Sequence, residues 1–302
     1  MRWLSLAVAL AGCAEGVLPG PEMGVGQGTE AGVFVPPVGG PGALDATTSM
    51  SGRPDVGGAV PPRDMTSPPP DMDPPPPDQG LAAPATCASG AWTQTVAGQE
   101  RSVRFEVPAN PSQGAPRVLV FHGNGDTADN FCASTNLCRF LTDRGAVVAT
   151  PNARHRPITV GDQTVELAWN AYDTTAANED VALVSSVLAE IDRRCGAGPL
   201  YLWGHSQGGY FAFLVAMEND ADGAVIGAAA DPMPGWPWQP ARTFPVAFLI
   251  GTLDFGIDNA RATAQRLEGN GHPVRLMEIE GARHGGYLSG HDAELADFVG
   301  LP

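Results

Sequence analysis

A serine with glycines two residues before and two residues after it, set between an apolar run and a helical pattern, has little choice of backbone path. In Tyr201-Leu-Trp-Gly-His-Ser-Gln-Gly-Gly-Tyr-Phe211, residues 200–203 read as a buried strand and 207–217 as a helix. Ser206 therefore stands on the turn between them. A strand that turns directly into a helix forms a sharp elbow, with the hydroxyl held out at the carboxyl edge of a sheet. Side chains at Gly204 and Gly208 would collide there. The free N–H groups of the helix start also favour negative charge developing beside the hydroxyl. The pattern Gly-x-Ser-x-Gly is short, and 38 glycines make chance matches common. Its place between strand and helix is what gives it weight.

The same alternation runs in both directions along the chain. Strands are expected at 103–107, 117–121, 146–150, 199–203, 224–230, 246–250 and 274–279, and helices at 180–194, 207–217, 259–267 and 292–298. Continuous apolar strands separated by helices predict an α/β fold, with a mostly parallel central sheet and helices on both faces. We expect it to occupy residues 86–302.

Residues 14–85 cannot share that core. They hold more than half of the chain's 29 prolines, including the run Pro68-Pro-Pro-Asp-Met-Asp-Pro-Pro-Pro-Pro-Asp78. Large apolar side chains are sparse, so burial cannot offset the entropy of ordering. A disordered, semi-stiff tether is expected. Ahead of it, residues 4–10 form an apolar run too short to span a bilayer, after Met1-Arg2 and before Leu10-Ala-Gly-Cys13. This start resembles a bacterial lipoprotein signal. The resemblance implies removal of residues 1–12, lipid on Cys13, a membrane as partner and a place in the cell envelope, with plain secretion as the alternative.

Composition removes other classes of function. The formal charge of −16 argues against nucleic acid as a partner. All 17 basic residues are arginine, which excludes a Walker A lysine, a Schiff-base lysine and a Ser-Lys dyad. Besides Cys13 there are Cys87, Cys132, Cys138 and Cys195. Their spacing fits no zinc site, so no metal or cofactor is expected. Three disulfide pairings are open to them, and Cys132–Cys138 with Cys87–Cys195 is the one we expect.

Three further pieces belong with Ser206. His122-Gly-Asn-Gly125 follows the strand at 117–121 and suits an oxyanion loop. One N–H would come from Gln207, after the serine, and one from Asn124, with Gly123 as second choice. His122 reads as a brace for that loop. Asp254 lies on the turn after the strand at 246–250 and is the expected acid, Asp231 being its rival. Asp258 reads as a helix N-cap. His284, in the loop after the last strand, is the expected base. His291 reads as a helix start, His272 lies at the wrong end of its strand, and His205 points away from the serine. Trp236 and Trp238, in a proline-rich connection placed near the catalytic edge, and Trp169 are candidate substrate platforms.

The order Ser206, Asp254, His284 resembles the α/β-hydrolase superfamily over about residues 101–298. Within it, "RFEVPAN…PRVLVFHGNGD", "GHSQGGYFAF", "PVAFLIGTLD" and "EGARHGG" are similar to the poly(3-hydroxybutyrate) depolymerase and feruloyl-esterase-like group, secreted esterases with little or no lid. That implies cleavage of carboxylic esters (polyester, feruloyl or acetyl) through an acyl-enzyme. One departure is Gln207, where that group often has Asn or Ala. Prolyl-oligopeptidase-like and dienelactone-hydrolase-like activities stay open, as does a non-catalytic surface binding module on the same fold.

Overall fold

The computed structural model describes residues 86–160, 163–175, 177–285 and 289–302. The expected signal segment, the expected lipid site at Cys13 and the expected tether at 14–85 lie outside the described residues.

Eight strands form one sheet in the order β1-β2-β4-β3-β7-β8-β9-β10. β1 (Gly90–Val96) and β2 (Gln99–Glu106) form an antiparallel hairpin. Its two-residue turn, Ala97-Gly98, has positive φ at both positions (49° and 76°), as a turn matching strand twist requires. β2 pairs antiparallel with β4 (Val147–Pro151). From β4 onward every pairing is parallel, through β3 (Arg117–Phe121), β7 (Leu200–His205), β8 (Gly223–Gly227), β9 (Val246–Gly251) and β10 (Val274–Ile279). A separate antiparallel hairpin, β5 (Arg154–Val160) with β6 (Gln163–Ala168), leaves the sheet after β4.

Strand alternation sends side chains to two helical layers. Leu119, Phe121, Leu202 and Phe248 pack with residues of α3 (Glu179–Cys195), α4 (Gln207–Glu218) and α5 (Ile257–Gly269). Val118, Val120, Trp203 and Leu249 pack with α1 (Ala128–Thr135), α2 (Leu137–Asp143) and α6 (Asp292–Val299). Burial on both faces is why these strands read as unbroken apolar runs. α3 shows its boundaries chemically. Asn178 caps it by accepting the Asp180 N–H at 3.0 Å, Glu179 and Asp180 occupy the first turn, and Arg193 and Arg194 the last. The structure pairs Cys87 with Cys195 and Cys132 with Cys138, the second bridge spanning the join of α1 and α2.

Because β3, β7, β8, β9 and β10 run the same way, the loops that follow them gather at one edge. Ser206, the 122–127 loop, the loop after β9 and the loop carrying His284 all lie there.

Candidate active site

The elbow forms as its glycines require. Ser206 has φ 53° and ψ −124°, outside the regions open to ordinary residues, at a cost of about 1–3 kcal/mol. The surroundings hold it there. Its N–H donates to the Gly227 carbonyl at 2.8 Å, and its carbonyl accepts from the Gly209 and Tyr210 N–H groups at 2.8 and 3.1 Å. A Cβ on Gly204 would run into the Gly208 carbonyl, and one on Gly208 into the carbonyls of Phe121 and His122.

Ser206 Oγ lies 2.9 Å from His284 Nε2, and His284 Nδ1 lies 2.8 Å from Asp254 Oδ2. The Asp254 side chain is fully buried, and its other oxygen accepts the Gly256 N–H at 2.9 Å. An ionised carboxylate can only accept, so the imidazole proton belongs on Nδ1. Nε2 then presents a lone pair to the serine O–H, the arrangement a general base needs. Acid and base are also joined through the backbone. Leu253 N–H donates to the Ala282 carbonyl at 2.9 Å, and Gly281 N–H to Thr252 Oγ1 at 2.9 Å. The two loops are thus laced into one unit.

Other acids and imidazoles have different employment. Asp231, fully buried, forms an ion pair with Arg266 and accepts the Met233 N–H at 2.8 Å. Asp258 is a correction: Gly256 is the N-cap of α5, and Asp258 sits one residue into the helix beside Arg261. His291 does precede α6 as its N-cap. His272 is buried at the opposite edge, with Nδ1 3.0 Å from the Phe244 carbonyl. His205 lies under the site, its ring 5.9 Å from that of His284. Burial, and secondarily His284, lower its pKa to about 4, so it stays neutral where His284 works.

The loop after β3 is pinned from inside. His122 is fully buried, and burial lowers its pKa. Its Nε2 accepts the Ala153 N–H at 3.1 Å, so Nδ1 carries the proton and donates to the Gly123 carbonyl at 2.8 Å. The Gly125 N–H is committed to the Leu167 carbonyl at 2.9 Å. Gly123 abuts the nucleophile: a Cβ there would sit 3.6 Å from Ser206 Cβ. Gln207 opens α4, where the first N–H groups have no acceptor within the helix.

The tryptophans are corrections. Trp169 is 2% exposed, stacked on Phe211 at 5.0 Å, and offers no surface. Trp236 and Trp238 line a depression of about 630 Å³ with Met217, Leu267, Asn270 and His272. Those residues mark the ends of α4 and α5 far from Ser206, and the start of β10. The proline-rich connection begins at the carboxyl edge and carries its tryptophans to the other one. Among the described residues, Leu253 and Phe255, either side of Asp254, are exposed apolar groups that do rim the site. Phe255 is 81% exposed, and its ring stacks on that of His284 at 4.7 Å. A large apolar residue in a short strand-to-helix loop, outside any periodic pattern, is the signal that could have found it.

A model of the alpha/beta hydrolase family matches residues 118–265. No curated protein sequence matches the chain. Among solved structures, a cold-adapted esterase from an Arctic intertidal metagenomic library superposes with a TM-score of 0.52 at 17% identity, over 69% of this chain and 93% of that one. An S-formylglutathione hydrolase from Agrobacterium tumefaciens gives 0.52 at 18% identity, over 70% and 95%. A hyperthermophilic esterase from Pyrobaculum calidifontis gives 0.50 at 18% identity, over 66% and 78%. With this strand order, and a serine elbow at the carboxyl edge of a mostly parallel sheet, the chain has the α/β-hydrolase fold.

Proposed function

We propose that the protein is a serine hydrolase that cleaves carboxylic esters bearing apolar or aromatic groups, through an acyl-enzyme. The hydrogen-bonded line from Ser206 Oγ through His284 to Asp254 carries this reading. His284 Nε2 takes the serine proton as Oγ attacks the ester carbonyl. Asp254 stabilises the imidazolium that forms. The N–H groups of Gln207 and Asn124, with Gly123 adjoining, hold the oxyanion. Nε2 then gives its proton to the departing alcohol. In the second half, His284 takes a proton from water, the hydroxide attacks the acyl carbonyl, and Ser206 recovers its proton as the acid leaves. The cycle uses these side chains and water.

The exposed rim favours an apolar substrate. Phe255 and Leu253 flank the acid and are 81% and 56% exposed. Tyr172, also exposed, stands near Tyr210 on the first turn of α4, whose pKa is raised chiefly by burial and secondarily by Tyr172. Such a surface fits hydroxyalkanoate oligomers or feruloyl esters better than acetylated sugars. The similar structures, two esterases and an S-formylglutathione hydrolase, agree with ester chemistry. We also infer export and lipidation at Cys13, from the residues ahead of it. Cys13→Ser should then release the protein from membranes, and a variant still membrane-bound would contradict that.

Turnover of p-nitrophenyl butyrate, ethyl ferulate and 3-hydroxybutyrate oligomers tests the enzyme. The wild type should hydrolyse at least one of them and Ser206→Ala none. Equal inertness of both, with retained binding of a polymer, would favour the binding module.

A further inference from the structure

Both segments that would supply the oxyanion hole are held by one buried residue. Trp169 donates its main-chain N–H to Gln207 Oε1 at 2.8 Å and its indole N–H to the His122 carbonyl at 2.9 Å. Gln207 opens α4 and His122 opens the loop after β3, so these two bonds bridge elements that are 85 residues apart (207 − 122). We propose that Trp169 is the positioning residue of the oxyanion hole, setting the distance and the orientation of its two donor segments. This rests on the serine-hydrolase reading above.

The argument follows from the planarity of the peptide group. In a trans peptide the carbonyl and the following N–H point in opposite directions. Fixing the His122 carbonyl on the indole therefore turns the Gly123 N–H to the opposite side. Fixing the Gly123 carbonyl on the His122 ring does the same for the Asn124 N–H. The indole thus orients the first of two successive peptide planes, and His122 the second. On the other segment, the Gln207 side chain reaches the Trp169 backbone. Asn or Ala at that position would be too short or would lack an acceptor. This gives the departure at Gln207 a physical role.

The brace is itself rigid. The Trp169 ring lies against Phe211 at 5.0 Å and edge-on to Phe121 at 5.2 Å, with no room to rotate. The next residue continues the frame: Asn170 N–H donates to Asp180 Oδ2 at 2.7 Å. Asp180 pairs with Arg101 at 2.8 Å, both buried. Arg101 donates to the Asn152 carbonyl at 2.8 Å, and the neighbouring Ala153 N–H holds His122. The contacts run from Trp169 back to His122 and close on themselves. In a low-dielectric interior such a closed polar network resists displacement.

Two variants test this. Trp169→Phe keeps an aromatic ring and loses the indole donor. Gln207→Met keeps side-chain length and loses the acceptor. Each should lower kcat about 10- to 100-fold, with KM changing less than about twofold, because the hole acts on the oxyanion and not on bound ester. The deciding readout is a trifluoromethyl ketone inhibitor, whose adduct with Ser206 places an oxyanion in the hole. Its Ki should rise by the factor by which kcat/KM falls. A merely structural role would lower melting temperature without that parallel. Unchanged kcat and Ki in the folded variants would overturn the proposal, and so would a fall in kcat without a rise in Ki. If Trp169→Phe does not fold, Gln207→Met decides alone. Absence of Ser206-dependent turnover in the wild type would instead remove the enzyme reading itself.

Discussion

Replacing Asp254 by Asn exchanges one oxygen for an NH₂ group and should cost about 10⁴ in kcat. Asp254 uses both oxygens as acceptors, one from the His284 Nδ1–H at 2.8 Å and one from the Gly256 N–H at 2.9 Å. An amide supplies one acceptor and one donor. If its oxygen stays on Gly256, its NH₂ faces Nδ1. The imidazole proton then moves to Nε2, and Ser206 meets a donor where it needs an acceptor. If the amide turns over, its NH₂ faces the Gly256 N–H, and an unsatisfied buried donor costs about 1–3 kcal/mol. The first state is the cheaper one and is the wrong tautomer for the reaction. A 10⁴-fold loss, about 5.5 kcal/mol of transition-state stabilisation, is the expected scale for that fault. It is read as kcat for p-nitrophenyl butyrate, with near-ultraviolet circular dichroism to confirm folding. Asp231→Asn is the control: its ion pair with Arg266 holds the fold, so melting temperature should fall and kcat stay within about twofold. A folded Asp254→Asn that loses less than tenfold, or an Asp231→Asn that loses more, would refute the assignment.

Phe255→Ala should leave stability unchanged, because the ring is 81% exposed, and lower kcat/KM for ethyl ferulate relative to ethyl acetate by about tenfold. An unchanged ratio would remove the rim from substrate choice. Burial holds His205 neutral down to about pH 4, so His205→Asn should leave the midpoint of the acid limb of the activity profile in place, and a moved midpoint would contradict it. Removing Cys87–Cys195, which closes 108 residues, should cost up to about 5 kcal/mol by chain entropy, against about 2 for Cys132–Cys138, which closes 6. Urea unfolding of the two double-alanine variants measures the difference, and the reverse ranking would sink the argument.

Elements with a strong apolar signature were legible from residue order. The last strand was expected at 274–279, where β10 lies, and the helices at 180–194 and 207–217 differ from α3 and α4 by a residue at each end or less. The strand expected at 224–230 stops at Gly227, because Ala228 turns the chain with φ 49°. Short helices α1 and α2 gave no usable period, being 8 and 7 residues long and fixed by tertiary packing and the Cys132–Cys138 bridge. The turn at Ala97-Gly98 hid its hairpin, since alanine is not a residue that advertises positive φ. At the site, position after a strand was informative, because parallel strands deliver every following loop to one edge. That is how residues 206, 254 and 284 come to meet. The tryptophans were misread because composition says what a connection carries and not which edge it crosses to. Trp169 was misread because an indole that braces and an indole that binds look alike in a string of letters.

Covalent labelling tests the central claim most directly. A p-nitrophenyl alkylphosphonate, incubated with the protein and followed by peptide mass spectrometry, should add one phosphonyl group, on Ser206, with one equivalent of p-nitrophenol released. His284→Ala should slow that labelling by several orders of magnitude. A protein that stays unlabelled while folded, or one labelled elsewhere with Ser206 untouched, would contradict the account.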